Sequence, residues 1–350
     1  MKKLLSMLLV LVAMMAIFAV PANAAEIALV TDVGTIDDES FNQACWQGVE
    51  AFATANNLSY QYYQPAADSN DARMDSIVDA VDQGAKAIVL PGYLFGATVA
   101  EAQEMFPEVK FIAVDVSAGD LGTDPLENLY CAVFGEEQAG YVAGYAVVKD
   151  GYTKLGFLGG MAVPAVQRYG YGFVQGANAA AVELGTPIEI NYTYGGQFFG
   201  DANITAKMDG WYAAGTEIVF ACGGSMFSSI VAAASANDAF VVGVDVDQSY
   251  ESETVVTSAM KGIGEAAVMS LTKNYDGTWA EIGGTLTVMG AKDDAVGLPT
   301  ETWSMESFTV AEYETLMSAM KDGTLVVDAT DLQSDAITTV ELPNVTVIYE

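Results

Sequence analysis

The sequence lacks histidine altogether and is poor in cysteine. Without histidine, Ser-His-Asp and Cys-His nucleophile systems and His-ligated zinc sites are excluded. The three cysteines, Cys45, Cys131 and Cys222, are far apart and odd in number, so they predict no disulfide framework. Cys131 and Cys222 lie in or beside apolar strand-like runs, and we expect all three to be buried as small apolar residues.

Basic residues are also scarce, with 13 lysines and arginines against 46 acidic residues and a formal net charge of −33. Removal of Lys2 and Lys3 with the first segment would leave 11 basic residues and a net charge of −35. A surface this acidic repels nucleic acid and anionic lipid, so both are poor partners. The hydrophobic content of 52% excludes a disordered acidic chain.

Long apolar runs are missing everywhere except at the start. Lys2 and Lys3 precede an apolar run over residues 4–20, and residues 21–24 (PANA) supply the small residues of an A-x-A pattern. This arrangement predicts a secretory signal over residues 1–24, cut after Ala24, with an uncleaved membrane anchor as the alternative. The rest of the chain is therefore expected to be soluble and extracytoplasmic, either secreted or periplasmic.

Strand-like and helix-like runs alternate along residues 25–350. Several helical runs end on a glycine, among them Gly84, Gly185 and Gly215. Such alternation with short connections predicts right-handed crossovers and parallel sheets. The number of strands and the 326 residues that follow Ala24 favour two α/β lobes, each a doubly wound parallel sheet.

Residues 31–42 (TDVGTIDDESFN) form an acidic, glycine-containing loop between an apolar strand and an amphipathic helix. In an open α/β sheet, ligands bind at this position, outside the carboxyl ends of the strands. The loop offers Asp32, Ser40 and Asn42 as hydrogen-bonding groups and Phe41 as a flat apolar face. That mixture suits a ligand with a ring and several hydroxyls. The alternative is that the acidic residues only cap the helix and the phenylalanine only fills the core.

Two later strand-like runs end in aspartate: FIAVD at Asp115 and VVGVD at Asp245, each late in its half of the chain. Two similar lobes that face each other would bring both carboxylates to a central cleft. The alternative is that each aspartate simply begins a turn after a strand.

Residues 31–43, with Trp46-Gln47-Gly48 after them, resemble the opening motif of the basic membrane protein family, the purine-nucleoside-binding proteins of ABC transporters. Four later segments are similar in character and order: GEEQAGY at 135–141, YGGQFFGD at 194–201, GVDVDQ at 243–248 and TSAMKG at 257–262. The resemblance covers essentially the whole chain after residue 24.

The resemblance implies a type I periplasmic-binding fold, in which two α/β lobes joined by three hinge crossings close on a ligand. The crossings would fall near Phe134, Thr257 and Leu286. The first lobe would comprise residues 25–134 and 257–285, and the second residues 135–256 and 286–350.

The family match also implies how a base would be held. Phe41 matches the aromatic residue that stacks on the base, and the opposing ring would be Phe198 or Phe199, which match equally well. Asn42 and Asp115 match positions that hydrogen-bond the base. An amide can both donate and accept, and a carboxylate accepts from a ring N–H.

At the sugar end, Asp245 matches a position that binds ribose hydroxyls, and Lys261 matches a lysine near the same hydroxyls. A buried lysine needs a carboxylate partner, which Asp245 would supply. Asp32 would anchor the loop or reach the sugar, and Gly223 and Gly224 would let the backbone approach the ligand closely. With few basic side chains, this cleft suits an uncharged nucleoside better than a nucleotide.

One departure from the family concerns membrane attachment. Many relatives are lipoproteins with a cysteine directly after the signal, whereas Ala24-Ala25-Glu26 stands at that position and the first cysteine is Cys45. Lipid attachment there is excluded. Contact with a membrane is therefore expected only through the transporter or through an uncleaved signal.

The sequence thus predicts a non-enzymatic, monomeric binding protein that delivers a purine nucleoside to an ABC transporter permease, with no cofactor or metal. A sugar- or autoinducer-binding receptor protein of the same fold is one alternative, although a sugar site would not need Asn42 beside an aromatic ring. A nucleoside hydrolase is another, because such enzymes hold calcium with several aspartates and Asp32, Asp37 and Asp38 share the first loop.

Overall fold

The computed structural model describes residues 25–332 and 334–350. The predicted signal segment, residues 1–24, lies outside the described residues. Among the helices described, none is long and apolar enough to cross a bilayer. Two sheets with helices packed against them organise these residues, which confirms the predicted α/β class.

Strands and helices alternate along most of the described chain. In chain order the strands are β1 (Ile27–Val30), β2 (Tyr60–Tyr63), β3 (Ala87–Pro91), β4 (Lys110–Val114), β5 (Leu129–Phe134), β6 (Lys154–Gly159), β7 (Ile188–Tyr194), β8 (Ile218–Cys222), β9 (Phe240–Asp245), β10 (Val255–Lys261), β11 (Thr285–Met289), β12 (Val296–Gly297) and β13 (Val345–Tyr349). The helices are α1 (Phe41–Asn56), α2 (Asn70–Asp82), α3 (Gly96–Met105), α4 (Ala118–Leu121), α5 (Glu136–Lys149), α6 (Pro164–Leu184), α7 (Ala202–Ala213), α8 (Phe227–Ala236), α9 (Ile263–Tyr275) and α10 (Val310–Lys321).

The first sheet contains six strands in the order β11-β5-β4-β3-β1-β2, each parallel to its neighbours. Apart from Lys110 at the start of β4, its central strands are apolar because both faces of the sheet are covered. Along β1, Ile27 and Leu29 join one buried cluster, whereas Ala28 and Val30 join the other. Helix α9 returns to this lobe from late in the chain and packs on α1, where Gly48 lies against the Gly264 backbone.

The second sheet contains seven strands in the order β12-β10-β9-β8-β6-β7-β13. All pairs are parallel except β10 with the short strand β12. Successive residues of β6 again divide between two buried clusters, with Phe157 on one face and Leu158 on the other. The three cysteines of the chain are free and buried, as predicted: Cys45, Cys131 and Cys222.

The connections between the two sheets differ from two of the expected positions. The chain leaves the first sheet at Phe134, the end of β5. It stays in the second sheet until Lys261, because β10 pairs with β9 along most of its length, so the second crossing follows Lys261 rather than Thr257. Likewise β11 pairs with β5 through Met289, and the third crossing follows that residue rather than Leu286. A strand pairs as a unit, so the hinge falls where the pairing ends.

Helices α5 and α6 pack with their backbones in direct contact. A Cβ atom on Gly140 of α5 would lie 2.1 Å from a carbonyl oxygen of α6, and one on Gly176 of α6 would lie 1.9 Å from a carbonyl oxygen of α5. Only glycine permits so close an approach. The contact holds Glu136, at the start of α5, beside Arg168 of α6.

Candidate functional site

A cleft lies between the carboxyl ends of the strands of the two sheets. Its first wall comes from the segments after β1, β3 and β4, and its second from the segments after β6, β7 and β8 and from the last residues of β9 and β10. In parallel sheets this edge is where ligands bind. Nine of the eleven predicted site residues line the cleft: Asp32, Phe41, Asn42, Asp115, Phe198, Gly223, Gly224, Asp245 and Lys261.

The other two predicted residues, Ser40 and Phe199, do not line it. Ser40 is fully buried and its hydroxyl donates to Asp245 Oδ2 at 2.5 Å, which joins the two lobes. The Phe199 side chain is 59% exposed and lies away from the cleft, whereas its neighbour Phe198 packs over Gly160 in the cleft wall. Of the two candidate rings that the sequence left open, the structure therefore brings only Phe198 to the cleft.

Lys261 stands at the centre of the site. Its Nζ makes its closest contact with Asp115 Oδ2 and lies 3.4 Å from Glu136 Oε1 and 3.9 Å from Asp245 Oδ1. The ammonium also lies 5.0 Å from the centre of the Phe41 ring. Burial lowers the pKa of Lys261, but the carboxylates outweigh burial and hold that pKa above its ordinary value. The lysine is thus a fixed positive charge, and Asp115 is a closer partner than the expected Asp245.

Asp115 directly follows β4 and Asp245 is the last residue of β9, and both have the same unusual backbone conformation, with φ of 59° and 68°. Aspartate is one of the few residues other than glycine that adopt this left-handed region readily. Asp115 Oδ1 is buried and has no hydrogen-bond partner among the described residues. Burial raises the pKa of Asp115 to about 7 against the opposing effect of Lys261, and burial also raises the pKa of Asp245.

The first loop is held by its own side chains. Asn42 Nδ2 donates to Asp32 Oδ1 at 2.9 Å and to Asp38 Oδ2 at 3.0 Å, and Asn42 Oδ1 accepts from the Asp32 backbone N–H at 3.3 Å. The Asp38 carboxylate also accepts backbone N–H groups at the start of α1, including those of Asn42 and Gln43. Asp38 is therefore a helix cap, which was the structural alternative for the acidic residues of this loop.

Asp32 is the part of this arrangement that faces the cleft. Its Oδ1 accepts from the Gly34 N–H at 2.7 Å, while its Oδ2 faces Gly92, where a Cβ atom would lie 3.0 Å away. Burial raises the pKa of Asp32 to about 6 despite these hydrogen bonds. The carboxylate thus presents one engaged and one available oxygen to the cleft.

Sequence reasoning missed two charged residues, Arg168 in the second wall and the fully buried Glu136 that pairs with it. Arg168 Nε and Nη2 both donate to Glu136 Oε2, at 2.9 and 2.8 Å. Two signals could have found them. Arg168 is one of only two arginines in the chain and interrupts an apolar helix, and Glu136 lies in the GEEQAGY segment without an assigned role.

The described fold is shared by solved structures of other proteins. An ABC transporter solute-binding protein from Aeropyrum pernix K1 superimposes with a TM-score of 0.74 at 20% identity and covers 89% of this chain and 95% of its own. One from Conexibacter woesei superimposes with a TM-score of 0.70 at 20% identity, over 87% of this chain and 99% of its own. At this identity the likeness shows the fold alone.

Relatives found by sequence give more specific information than the shared fold does. The ABC transporter nucleoside-binding protein BmpA of Lactococcus lactis is 29% identical over 296 residues, which cover 77% of this chain and 80% of the relative. Basic membrane protein A of Borreliella afzelii is 30% identical over 280 residues, which cover 78% and 82%.

Residues 25–329 match the sequence model of a family described as ABC transporter substrate-binding protein PnrA-like. The match includes every residue of the cleft named above. Substrate-binding proteins of ABC transporters work outside the cytoplasm, in agreement with the expected localisation. The chain belongs to the PnrA-like family of ABC transporter substrate-binding proteins.

Proposed function

We propose that this protein binds a purine nucleoside in the cleft between its lobes and delivers it to the permease of an ABC transporter. The observation that carries the proposal is the pairing of two kinds of surface in one cleft. Aromatic rings line it from both walls, and buried carboxylates with an available oxygen lie between them. The name of the Lactococcus lactis relative supports a nucleoside as the ligand.

The base would lie between Phe41 of the first wall and Phe198 of the second. A base stacked on an aromatic side chain gains about 1–3 kcal/mol, whichever base it is. Asp32 Oδ2 would accept a ring N–H, since its other oxygen is engaged by Gly34 and Asn42. Asn42 is itself hydrogen-bonded at every polar atom of its amide, so we assign it the role of orienting Asp32.

The sugar would lie beside Lys261, Asp115 and Asp245. Asp115 Oδ1 is a buried acceptor without a partner in the described chain, and a ribose hydroxyl or a ring N–H would satisfy it. Gly223 and Gly224 leave the backbone accessible at the end of β8. These groups offer acceptors to a ligand rich in donors, as a nucleoside is.

The charge of the cleft argues against a nucleotide. Its lining includes the carboxylates of Asp32, Asp115 and Asp245, whereas its cations are Lys261 and Arg168. Both cations are already paired with carboxylates. A phosphate would meet more negative than positive charge and would find no free cation among the described lining residues.

Isothermal titration of the purified protein with inosine, inosine monophosphate, hypoxanthine and ribose tests the proposal. We expect inosine to bind and to raise the unfolding temperature, because a ligand of the folded state stabilises it. The monophosphate and the free sugar should bind far more weakly. Tight binding of ribose together with no binding of inosine would instead identify a sugar-binding protein.

The proposal includes release of the ligand unchanged. The acidic first loop is the feature that suggested a nucleoside hydrolase as an alternative. Incubation of the protein with inosine followed by assay of free hypoxanthine tests this point. We further propose that residues 1–24 direct an extracytoplasmic monomer and are either removed or kept as an anchor. Mass measurement and light scattering of the exported protein distinguish these states.

A further inference from the structure

The segment between α10 and β13 crosses the outer side of α6. Residues 324–332, called the strap here, contain no helix or strand, and Val327 packs into the core. Asp328 fixes the strap to α6, because its N–H donates to Gln175 Oε1 at 3.0 Å and its carbonyl accepts from Gln175 Nε2 at 2.9 Å. The Tyr171 hydroxyl donates to the Asp328 carboxylate at 3.3 Å.

Three residues further on, Asp331 contacts Arg168, which lines the cleft. The half-exposed Asp331 carboxylate accepts from Arg168 Nη1 at 3.1 Å. The other edge of the guanidinium donates twice to Glu136 Oε2. The arginine is thus held at both ends, by Asp331 of the strap and by the buried Glu136.

Glu136 divides its two oxygens between the two cations of the site. Oε2 accepts from Arg168, and Oε1 lies 3.4 Å from Lys261 Nζ, which in turn contacts Asp115. Charges of alternating sign therefore run without a break from the surface of the strap to the unpartnered oxygen of Asp115. Each charge in such a row is stabilised by its neighbours, so its position depends on theirs.

We propose that Asp331 is a positioning residue for the ligand site. By holding Arg168 on its outer edge, Asp331 fixes the orientation in which Glu136 faces Lys261, and so fixes Lys261 and Asp115 in the cleft. This inference rests on the proposed function for its effect on ligand affinity. Asp331 lies beyond residue 329, where the match to the family ends, so the strap adds a contact that the family match does not include.

A first experiment needs no ligand. The chain has only two arginines, Arg73 and Arg168, so a proton–nitrogen spectrum of the arginine side chains is readily assigned with an Arg168→Lys variant. We expect Asp331→Asn to shift the Arg168 Nε–H signal and to speed its exchange with water, because one of its two carboxylate partners is lost. Arg73 serves as the internal reference. Asp328→Asn is the matched control, since it changes a strap carboxylate that contacts α6 but not Arg168.

The second experiment measures inosine affinity of the same variants. We expect Asp331→Asn to weaken binding by about three- to tenfold, the range that residues coupled to a site through a network produce. Asp331→Glu should restore affinity to within about twofold of the parent, and Asp328→Asn should stay within the same range. The unfolding temperatures without ligand should be alike for the two asparagine variants.

Several results would overturn the inference. An Arg168 signal unchanged by Asp331→Asn would show that Asp331 does not position the arginine. Equal losses of affinity in Asp331→Asn and Asp328→Asn would show that the strap acts only through its packing. A parent protein that binds no inosine would count against the proposed function, and the arginine spectra would still decide whether Asp331 positions Arg168.

Discussion

Asp115 and Asp245 occupy matching places in the two lobes and differ in their surroundings. Both lie at the carboxyl end of a buried parallel strand, both have a left-handed backbone, and both line the cleft. Asp115 contacts Lys261 and keeps its Oδ1 unpartnered, whereas Asp245 lies 3.9 Å from the lysine and accepts from Ser40 of the opposite lobe. The repeated architecture has placed two identical groups in two different electrostatic environments.

The difference arises from a single crossing strand. Lys261 is the last residue of β10, which belongs to the second sheet, and its side chain reaches the carboxylate of the first lobe. The second lobe therefore supplies both a carboxylate and the cation that pairs with the other lobe's carboxylate. We infer that Asp115 and Lys261 act as one unit in ligand binding and that Asp245, besides facing the ligand, joins the lobes.

The largest expected effect comes from removing the cation that distinguishes the two aspartates. Lys261→Met leaves Asp115, Glu136 and Asp245 buried without it. Breaking a buried ion pair by removing one partner costs about 3–5 kcal/mol. We expect a loss of unfolding free energy of that size by urea denaturation and loss of measurable inosine binding.

Lys261→Arg is the matched control for charge. It keeps the cation but changes its shape, so it should recover most of the stability and only part of the affinity. If Lys261→Met were as stable as the parent and bound inosine equally well, Lys261 would have no role in either stability or ligand binding.

The second prediction extends the comparison to the aromatic ring on each wall of the cleft. Phe41→Ala and Phe198→Ala should each weaken inosine binding by about 1–3 kcal/mol, the energy of one stacked base. Phe199→Ala is the control, because that ring is exposed and should contribute little. Calorimetry of the three variants measures the difference. Equal losses for Phe198→Ala and Phe199→Ala would contradict the assignment of Phe198 as the second ring.

The third prediction separates the two aspartates by pH. Burial raises the pKa of folded Asp115 to about 7, while an unfolded aspartate titrates near 3.9. The folded state therefore binds this proton more tightly, and the stability that it contributes is present below about pH 4 and lost as the pH rises to about 7. Asp115→Asn should reduce this fall in stability.

The same measurement on Asp245→Asn sharpens the comparison. At Asp245 the charge of Lys261 and the hydrogen bond from Ser40 both oppose the effect of burial on the pKa, so we expect a smaller reduction in the slope. Neither variant should abolish the slope, because burial also raises the pKa of Asp32 to about 6 and that of Glu137 to about 7. Urea unfolding between pH 4 and 8 provides the data. If the unfolding free energy of Asp115→Asn depended on pH as steeply as that of the parent, the pKa of Asp115 would not be raised in the folded protein.

Much of the fold was predictable because buried parallel strands have short, continuous apolar sequences. The strand-ending aspartates at 115 and 245 and the loop after β1 were visible in the sequence for the same reason. The crossings at Thr257 and Leu286 were placed a few residues early, since nothing local in an apolar strand tells which sheet it joins. Pairing between distant strands decides that point.

The site was predictable where a residue follows a strand and less so where it depends on tertiary contact. Ser40 was expected to contact ligand, yet its hydroxyl is consumed by Asp245 from more than 200 positions away. Glu136 and Arg168 were missed because their pairing results from the close packing of α5 and α6. Adjacent phenylalanines 198 and 199 could be separated only once the loop that carries them was placed.

The smallest expected effect comes from removing the hydrogen bond that Asp245, but not Asp115, accepts from the opposite lobe. Ser40→Ala removes the hydrogen bond that joins the lobes but leaves Lys261 and Asp115 in place. A second contact, from Gln248 Nε2 to the Glu39 carbonyl at 2.9 Å, remains across the same boundary. We therefore expect the lobes to stay able to close, with a shift of population toward open forms.

A hydrogen bond to a charged group contributes about 1.5–3 kcal/mol, part of which the remaining contacts and water recover. Ser40→Ala should thus weaken inosine binding by only a few fold and increase the radius of gyration measured by small-angle scattering without ligand. Saturating inosine should return the variant to the radius of the liganded parent, because a ligand held by both lobes favours the closed form. Ser76→Ala is the control, since that buried hydroxyl donates to the Ala72 carbonyl within the first lobe. We expect Ser76→Ala to change neither the radius of gyration nor the inosine affinity. If Ser40→Ala also changed neither quantity, the hydrogen bond between Ser40 and Asp245 would have no part in closure. Asp245 would then have to be assigned to ligand binding alone.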